Sequence, residues 1–206
     1  GPVVRRIKRH DLQRRFRVAF KSRPAPRVID RYAEAAKVEV AELPWLPPTS
    51  GDQLLLIPGA QHQTKRWPSE QWIELGKTWE GPITVLGSPA ESNLVQHVAK
   101  EIGVQASPLA EKGFAKTLQV MPSARLAVGG DTGLIHLAAA FGVPVVSLFG
   151  PTRPEDGHWC HRGEIVQVEL PCRPCSRHGG SRCPVGDHAC MTSIEVDDVL
   201  VAMEGM

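Results

Sequence analysis

The sequence has 206 residues and a formal net charge of +2, and 42% of its residues are hydrophobic. A chain of this size and apolar content can bury a core, which argues against intrinsic disorder. No stretch approaches the ~18 apolar residues that a membrane-spanning helix needs. The basic, polar first residues lack the apolar region of a secretory signal, so we expect none here.

The charge is divided unevenly along the chain. Residues 1–31 carry 11 of the 24 lysine and arginine residues and two acidic residues, so this arm has a charge of +9, whereas residues 32–206 have a charge of −7. Such asymmetry predicts an anionic partner near the N-terminal end. Charge alone leaves nucleic acid, a membrane surface and an anionic glycolipid open as that partner.

The first part of the chain is predicted to be largely irregular. The basic segment has few apolar residues, with a candidate helix over 12–20 and a short helix over 27–37. Residues 42–52 include the run Leu43-Pro44-Trp45-Leu46-Pro47-Pro48. Because proline fixes φ and lacks an N–H donor, we expect a proline-rich linker there.

From residue 53 onward, short apolar runs alternate with amphipathic segments. The apolar runs predict strands over 54–57, 83–86, 126–128, 143–149 and 165–168, and residues 104–109 predict a weak strand or a turn. The periodic segments predict helices over 69–80, 89–102, 114–121, 132–141 and 194–203, the first capped by Ser69 and the last by Thr192 or Ser193. This alternation is typical of an α/β fold, a Rossmann-like parallel sheet with helices on both faces. Ligands bind at the carboxyl ends of such strands, which points to the loops 58–66, 87–91, 129–133 and 149–157.

The most specific of these loops is Gly129-Gly130-Asp131-Thr132-Gly133, which follows a strand and opens a helix containing His136. Glycines allow a ligand to approach the backbone, and the first turn of a helix offers unpaired N–H groups to a phosphate. His136 lies one turn further on and could donate a hydrogen bond to an anionic oxygen. The alternative is that Asp131 and Thr132 only cap the helix while His136 packs.

Two other loops carry candidate ligand groups. Lys65 and Arg66 lie in the polar loop after the first strand, where either could neutralise charge on a leaving phosphate, although a solvated turn would look similar. Glu91 follows the second strand and could hold a ribose diol, or could simply favour the start of its helix. No G-x-G-x-x-G or Walker A pattern is present, so an ordinary NAD fold or a P-loop ATPase is not expected.

A cluster of cysteines follows the last predicted strand. Cys172 and Cys175 form a C-x-x-C pair, and Cys183 and Cys190 follow within nineteen positions. Such a set could bind zinc, form disulfides or remain as packed free thiols, and its second pair is too widely spaced for a zinc ribbon. Cys160 stands apart and is predicted to be structural.

These segments resemble a known family. Residues 129–154, GGDTGLIHLAAAFGVPVVSLFGPTRP, are similar to the signature of glycosyltransferase family 9, the lipopolysaccharide heptosyltransferases. The loop PGAQHQTKRWP (58–68) and the cysteine-containing residues 171–191 resemble further family segments. The basic arm and the IDRY sequence (29–32) resemble the end of the family's N-terminal domain, so the resemblance covers nearly the whole chain.

The resemblance implies a GT-B architecture, in which two Rossmann-like domains flank a cleft. Residues 1–41 would then be a remnant of the acceptor-binding N-terminal domain, residues 42–52 the linker, and residues 53–206 the nucleotide-sugar donor-binding domain. The family's general base, an Asp early in the N-terminal domain, has no counterpart in this chain. We therefore expect a donor-binding part of an enzyme, incomplete as a catalyst.

The same resemblance assigns donor contacts to individual residues. Lys65 would stabilise the leaving phosphate, Glu91 would hold the ribose, and backbone over 109–113 would line the adenine. Ala60 and Gln61 stand where family members often carry hydroxyl residues. The full set of implied donor-binding residues is Ala60, Gln61, Lys65, Glu91, Lys112, Asp131, Thr132, Gly133 and His136.

The implied reaction is an inverting transfer of heptose from ADP-heptose to a lipopolysaccharide or lipid A-core acceptor, with no required cofactor and a structural zinc at the cysteines left open. The enzyme would be cytoplasmic and peripheral to the inner membrane of a Gram-negative bacterium. Its anionic partner would be the acceptor and not nucleic acid. Bases stack on aromatic side chains, and Phe16 and Phe20 are the only aromatic residues in the basic arm. The alternative function is a nucleotide-sugar binding module without catalytic activity.

Overall fold

The structure is a computed structural model that describes residues 28–37, 39, 51–111, 114–158 and 162–206. The predicted helix near residue 30 is present as α1 (Val28–Ala36). Most of the basic arm, including the helix predicted over 12–20, lies outside the described residues. So do most of the proline-rich linker, Lys112 and Cys160, and the proposed domain boundary stays a prediction.

Six parallel strands form one sheet in the order β3-β2-β1-β4-β5-β6. Each predicted strand is present, with bounds shifted by a few residues at most. The strands are β1 (Gln53–Ile57), β2 (Ile83–Leu86), β3 (Ala106–Leu109), β4 (Ala124–Gly130), β5 (Val145–Phe149) and β6 (Gly163–Gln167). The arrangement confirms the predicted α/β, Rossmann-like fold.

Helices connect the strands and complete the chain. They are α2 (Ser69–Thr78), α3 (Ser92–Ile102), α4 (Ala115–Val120), α5 (Gly133–Ala140), α6 (Ala189–Thr192) and α7 (Val196–Glu204), with short 3-10 turns at Gln63–Lys65, Pro89–Glu91, Met121–Ser123 and Pro154–Asp156. Within the described ranges, no helix combines the length and the apolar character needed to cross a bilayer.

The sheet is covered on both faces, which explains why four consecutive residues of the central strand β1, Leu54–Ile57, are apolar. Leu54 and Leu56 of β1 point into a core formed with α2, α3, α6 and α7. Leu55 and Ile57, the alternating residues, point into a second core formed with α5. All four side chains are almost completely buried, as the two-residue repeat of a strand between two helical layers requires.

Two of the predicted helix caps are wrong. Ser69 is the first helical residue of α2 and follows Pro68 at the N-cap, while its hydroxyl donates to Glu70. The last helix begins later than predicted, at Val196, and Glu195 caps it through a reciprocal capping box with Asp198. The sequence spacing favoured the nearest hydroxyl residues. In α7, however, the carboxylates of Glu195 and Asp198 satisfy the first backbone N–H groups of the helix.

Strand β4 is longer than predicted because it continues through Gly129 and Gly130 instead of ending before them. A Cβ on Gly129 would lie 2.9 Å from the Cβ of Ile57 on the adjacent strand. Glycine is therefore required by close packing inside the sheet, and the change of direction comes at Asp131.

The polar loops after β1 and β4 are neighbours in space although 66 residues separate Lys65 from Asp131. β1 pairs with β4 on one side and with β2 on the other, so the chain leaves these two central strands in opposite directions. This reversal opens a crevice at the carboxyl ends of the strands, the usual ligand position in such folds.

Candidate functional site

A cavity of about 1510 Å³ occupies this crevice. Each of the four loops predicted at the carboxyl edge contributes to its walls: residues 59–62 and 65–66, 87–91, 131–133, and 152–153 with 156–157. Phe114, Thr117 and Leu118 line another part, and Arg177 and His178 come from the cysteine-containing residues. The cavity is large enough for a nucleotide-sized ligand.

The centre of the cavity holds an ion pair between Lys65 and Asp131. Lys65 Nζ lies 2.6 Å from Asp131 Oδ2 and also donates to the backbone carbonyl of Asp131. His136 Nε2 donates to the other carboxylate oxygen at 3.3 Å, and the Thr152 hydroxyl donates to Oδ2 at 3.4 Å. The Lys65 and Asp131 side chains are only 12% and 23% exposed, so this pair is largely shielded from water.

These contacts bear on the capping alternative that the sequence left open. Thr132 occupies the N-cap position of α5, but its side chain makes no capping hydrogen bond. The Asp131 carboxylate points to Lys65 and His136, so capping does not explain either residue. Nothing lies within 4 Å of where a Cβ on Gly133 would be, which leaves the first turn of α5 open to a ligand.

The surroundings of Asp131 keep its carboxylate ionised. Burial by itself raises the pKa of Asp131, but the hydrogen bond from His136 and the charge and hydrogen bond of Lys65 outweigh it and hold the pKa well below its usual range. The group is thus an anion at neutral pH, and it contacts one lysine and one histidine.

His158 is a site residue that sequence reasoning missed. Its ring is tilted by 47° against that of His136, with 5.4 Å between centroids, and meets Phe149 edge-on at 5.2 Å between centroids. Both ring nitrogens are buried and lack a hydrogen-bond partner among the described residues. Burial, and then the nearby His136, lower the pKa of His158 to about 4, against the attraction of Asp131. The predicted site loop 149–157 ends one residue before it.

The first loop holds Lys65 in a buried framework. Ala60 is buried, and its carbonyl accepts a hydrogen bond from Arg66 Nε at 2.9 Å. Trp67 is buried, packs edge-on against Trp72, and donates to the Ile194 carbonyl at 2.9 Å. Gln61 is exposed at the cavity. The loop is therefore an ordered element and not the solvated turn that its composition allowed.

Glu91 lies in another part of the cavity wall, where it completes a capping box. Its Oε2 accepts from the Ser88 backbone N–H at 2.8 Å and from the Ser88 hydroxyl at 2.7 Å. A Cβ on Gly59 would lie 2.3 Å from the Glu91 carboxyl carbon, so Gly59 makes room for this side chain. Both sequence interpretations of Glu91 stay compatible, because a capping carboxylate keeps a second oxygen for a ligand.

No disulfide bond joins the cysteines in the described part of the chain. Cys172, Cys175, Cys183 and Cys190 are free thiols. Across the described ranges, the only cluster of three potential metal ligands within 4.8 Å of one another is Asp131, His136 and His158. Burial, followed by the neighbouring thiols, raises the pKa of Cys190 to about 11, which keeps that thiol protonated.

Comparison with known proteins bears on the family of this chain. The family model described as glycosyltransferase family 9 (heptosyltransferase) matches residues 4–184. Lipopolysaccharide heptosyltransferase 1 of Pseudomonas aeruginosa is 35% identical over 128 residues, which are 59% of this chain and 36% of that protein. Lipooligosaccharide heptosyltransferase 2 of Campylobacter jejuni is 29% identical over 162 residues, 73% of this chain and 50% of that protein.

A solved structure supports the fold independently. The E. coli heptosyltransferase WaaC with ADP-2-deoxy-2-fluoro heptose superposes with a TM-score of 0.58 at 20% identity, over 85% of this chain and 53% of that one. The present chain thus spans about half or less of the length of the curated relatives it matches. The match to the family model extends over most of the sequence, and the chain belongs to glycosyltransferase family 9.

Proposed function

We propose that the cavity binds the diphosphate of an ADP-activated sugar and that Lys65 is its main cationic contact. The observation that carries this proposal is the shielded Lys65–Asp131–His136 group beside the open first turn of α5. A shielded cation and unpaired helix N–H groups in one crevice suit a diphosphate better than a neutral ligand.

The lysine has the capacity for such a contact. An ammonium group has three N–H donors, and the described contacts of Lys65 use two of them on Asp131. The third can donate to a phosphate oxygen without breaking the ion pair. Asp131 then acts as a clamp that holds the ammonium and the His136 ring in place.

The reaction that follows is an inverting glycosyl transfer. The acceptor hydroxyl attacks the anomeric carbon as the bond from that carbon to the phosphate oxygen breaks, and ADP leaves with the bonding electron pair. Lys65 and the N-terminus of α5 stabilise the negative charge that builds on the diphosphate. The proton of the acceptor hydroxyl goes to a base that we assign to no residue of this chain.

For the whole protein we propose heptose as the transferred sugar and a lipopolysaccharide inner-core acceptor. The names of the matched relatives and the ADP-heptose analogue in the WaaC structure support this choice. A phosphate-bearing acceptor also suits the +9 arm of residues 1–31. The arm would then face the inner membrane from the cytoplasm.

We also propose that transfer requires no metal ion. Asp131, His136 and His158 form a set with three potential ligand atoms, yet Lys65 already neutralises the Asp131 carboxylate from 2.6 Å. An added divalent cation would be repelled by the ammonium, which itself supplies positive charge to the leaving group. Transfer by the longer enzyme should therefore continue after dialysis against a chelator.

Calorimetry on this chain tests the donor assignment. ADP and ADP-heptose should bind, and a UDP-sugar should bind at least about tenfold more weakly, since the family resemblance implies that residues 109–113 contact adenine. Absence of binding by both adenine ligands would contradict the donor assignment. Comparable binding of the UDP-sugar would contradict the choice of nucleotide.

Kinetics on an enzyme that contains both domains tests the role of Lys65. Lys65→Ala should lower kcat more than it weakens donor binding, because the diphosphate carries more negative charge in the transition state than in the bound donor. If kcat and donor affinity fell by the same factor, Lys65 would act in donor binding only. Donor binding without any transfer by the wild-type enzyme would favour the alternative, a binding module without activity.

A further inference from the structure

The cysteine segment, defined here as residues 171–191, is hydrogen-bonded to the turn that carries Lys65. Thr64 is buried, and its hydroxyl donates to the Gly180 carbonyl at 3.0 Å and accepts from the Gly180 N–H at 2.8 Å. The Thr64 N–H also donates to the Gly180 carbonyl at 3.2 Å. His188 Nε2 donates to the Thr64 carbonyl at 2.8 Å, so four contacts converge on the residue before Lys65.

A second, steric contact reaches Lys65 itself. Gly179 has a φ of +96°, which an L side chain rarely adopts, and a Cβ there would lie 3.0 Å from both Cγ and Cδ of Lys65. The backbone at Gly179 therefore lies directly on the aliphatic part of the lysine. Contact with Gly179 along the stem and with Asp131 at the ammonium group leaves the side chain little rotational freedom.

The cysteine segment is also fixed at its other side. The backbone N–H groups of Cys175 and Ser176 both donate to the Pro151 carbonyl at 3.2 Å. The Ser176 hydroxyl accepts from the Gly179 N–H at 2.9 Å, which holds the turn that contacts Lys65. The cysteine segment is thus hydrogen-bonded both to the loop after β5, at Pro151, and to the loop after β1, at Thr64.

We propose that the cysteine segment positions Lys65 for the ligand, with Thr64 and His188 as its positioning residues. A lysine loses considerable rotamer entropy when it is fixed by a ligand, and here the protein has fixed it in advance. The ligand class, a nucleoside diphosphate, rests on the proposed function above. The positioning itself does not, because its contacts exist without a ligand.

Amide hydrogen exchange tests the positioning directly. Thr64→Val removes the hydroxyl at nearly constant volume, and Thr84→Val is a matched control, since Thr84 is equally buried and hydrogen-bonded but lies in β2. Exchange should accelerate at residues 61–66 and 176–181 together in Thr64→Val only, and Thr64→Ser should restore protection. Unchanged exchange in Thr64→Val, or the same acceleration in the control, would overturn the proposal.

A double-mutant cycle with ADP tests whether Thr64 acts through Lys65. In the wild-type background Thr64→Val should weaken ADP binding by about 3- to 10-fold, the range expected when one flexible side chain must be ordered anew. In a Lys65→Met background the same substitution should have no effect. Equal weakening in both backgrounds would overturn the proposal. If wild-type protein does not bind ADP, the donor assignment fails, and the exchange experiment still decides the positioning.

Discussion

Two ion pairs in this protein have the same length but lie in contrasting surroundings. Lys65–Asp131 and Lys116–Glu111 both measure 2.6 Å between charged atoms, and Glu111 lines the same cavity. The first pair is 12% and 23% exposed and is linked to His136 and Thr152. The second is 60% and 52% exposed.

The difference shows that distance alone does not identify a functional pair. An exposed pair in water gains little, because solvent screens the charges and two long side chains must be ordered. A shielded pair is costly to separate, and its charges act strongly on whatever enters the cavity. We therefore place the electrostatic function of the cavity at Lys65 and Asp131, and three predictions test this contrast.

The largest effect is expected from removing one partner of the shielded pair. Asp131→Ala leaves Lys65 shielded without its carboxylate, and we expect a loss of about 3 kcal/mol in the free energy of unfolding. Glu111→Ala, the matched change in the exposed pair, should cost less than ~0.5 kcal/mol. Urea denaturation of both variants measures this, and similar losses would remove the distinction between the pairs.

A smaller effect concerns acid, because His158 belongs to the shielded region. Its pKa of about 4 lies below the ordinary 6.5, so between these values the unfolded chain binds a proton that the folded protein excludes. The free energy of unfolding should therefore fall as the pH falls from 6.5 to 4, by about 1–2 kcal/mol after allowance for partial exposure. Protonation of Asp131 lowers the free energy of unfolding further, but only below pH 3.8, the ordinary pKa of an aspartate.

Denaturation at pH 7, 5 and 4 checks this window. His158→Gln should flatten the pH dependence, whereas His97→Gln, which changes an exposed histidine of α3, should not. An unchanged slope in His158→Gln would show that the shielded region does not control the acid response.

Glu91 should give the smallest effect, since it is a locally bonded carboxylate outside both pairs. Its capping box uses Oε2, so Oε1 can accept a hydrogen bond from a ribose hydroxyl. ADP should bind about 5-fold more tightly than 2′-deoxy-ADP, the value of one ordinary hydrogen bond. In Glu91→Ala this preference for ADP should disappear. If the variant kept the full preference, a residue other than Glu91 would contact the ribose.

The fold followed from sequence because its signals are local. The apolar run Leu54–Ile57 and the periodic helix at 92–102 each carry their own pattern, and Gly103 ends that helix with a φ of +123°. Helix starts were less predictable, as Ser69 and Glu195 demonstrate, because several polar residues near a start can satisfy the same N–H groups.

The site was predictable only in part, for a physical reason. The sequence placed Lys65 and Asp131 on loops at the same sheet edge, but nothing local indicated that they would pair. His158 follows a loop without periodicity, and the contact of Gly180 with Thr64 joins residues 116 positions apart. Such contacts depend on how loops from distant segments settle on the completed sheet.

Titration of ADP into two lysine variants tests the central claim, that the shielded pair and not the exposed one binds the diphosphate. Lys65→Met should weaken ADP binding by more than ~10-fold, the loss expected for one hydrogen bond to a charged group. Lys116→Met should bind ADP as the wild type does. Equal affinities in the two variants, or a greater loss in Lys116→Met, would contradict the account.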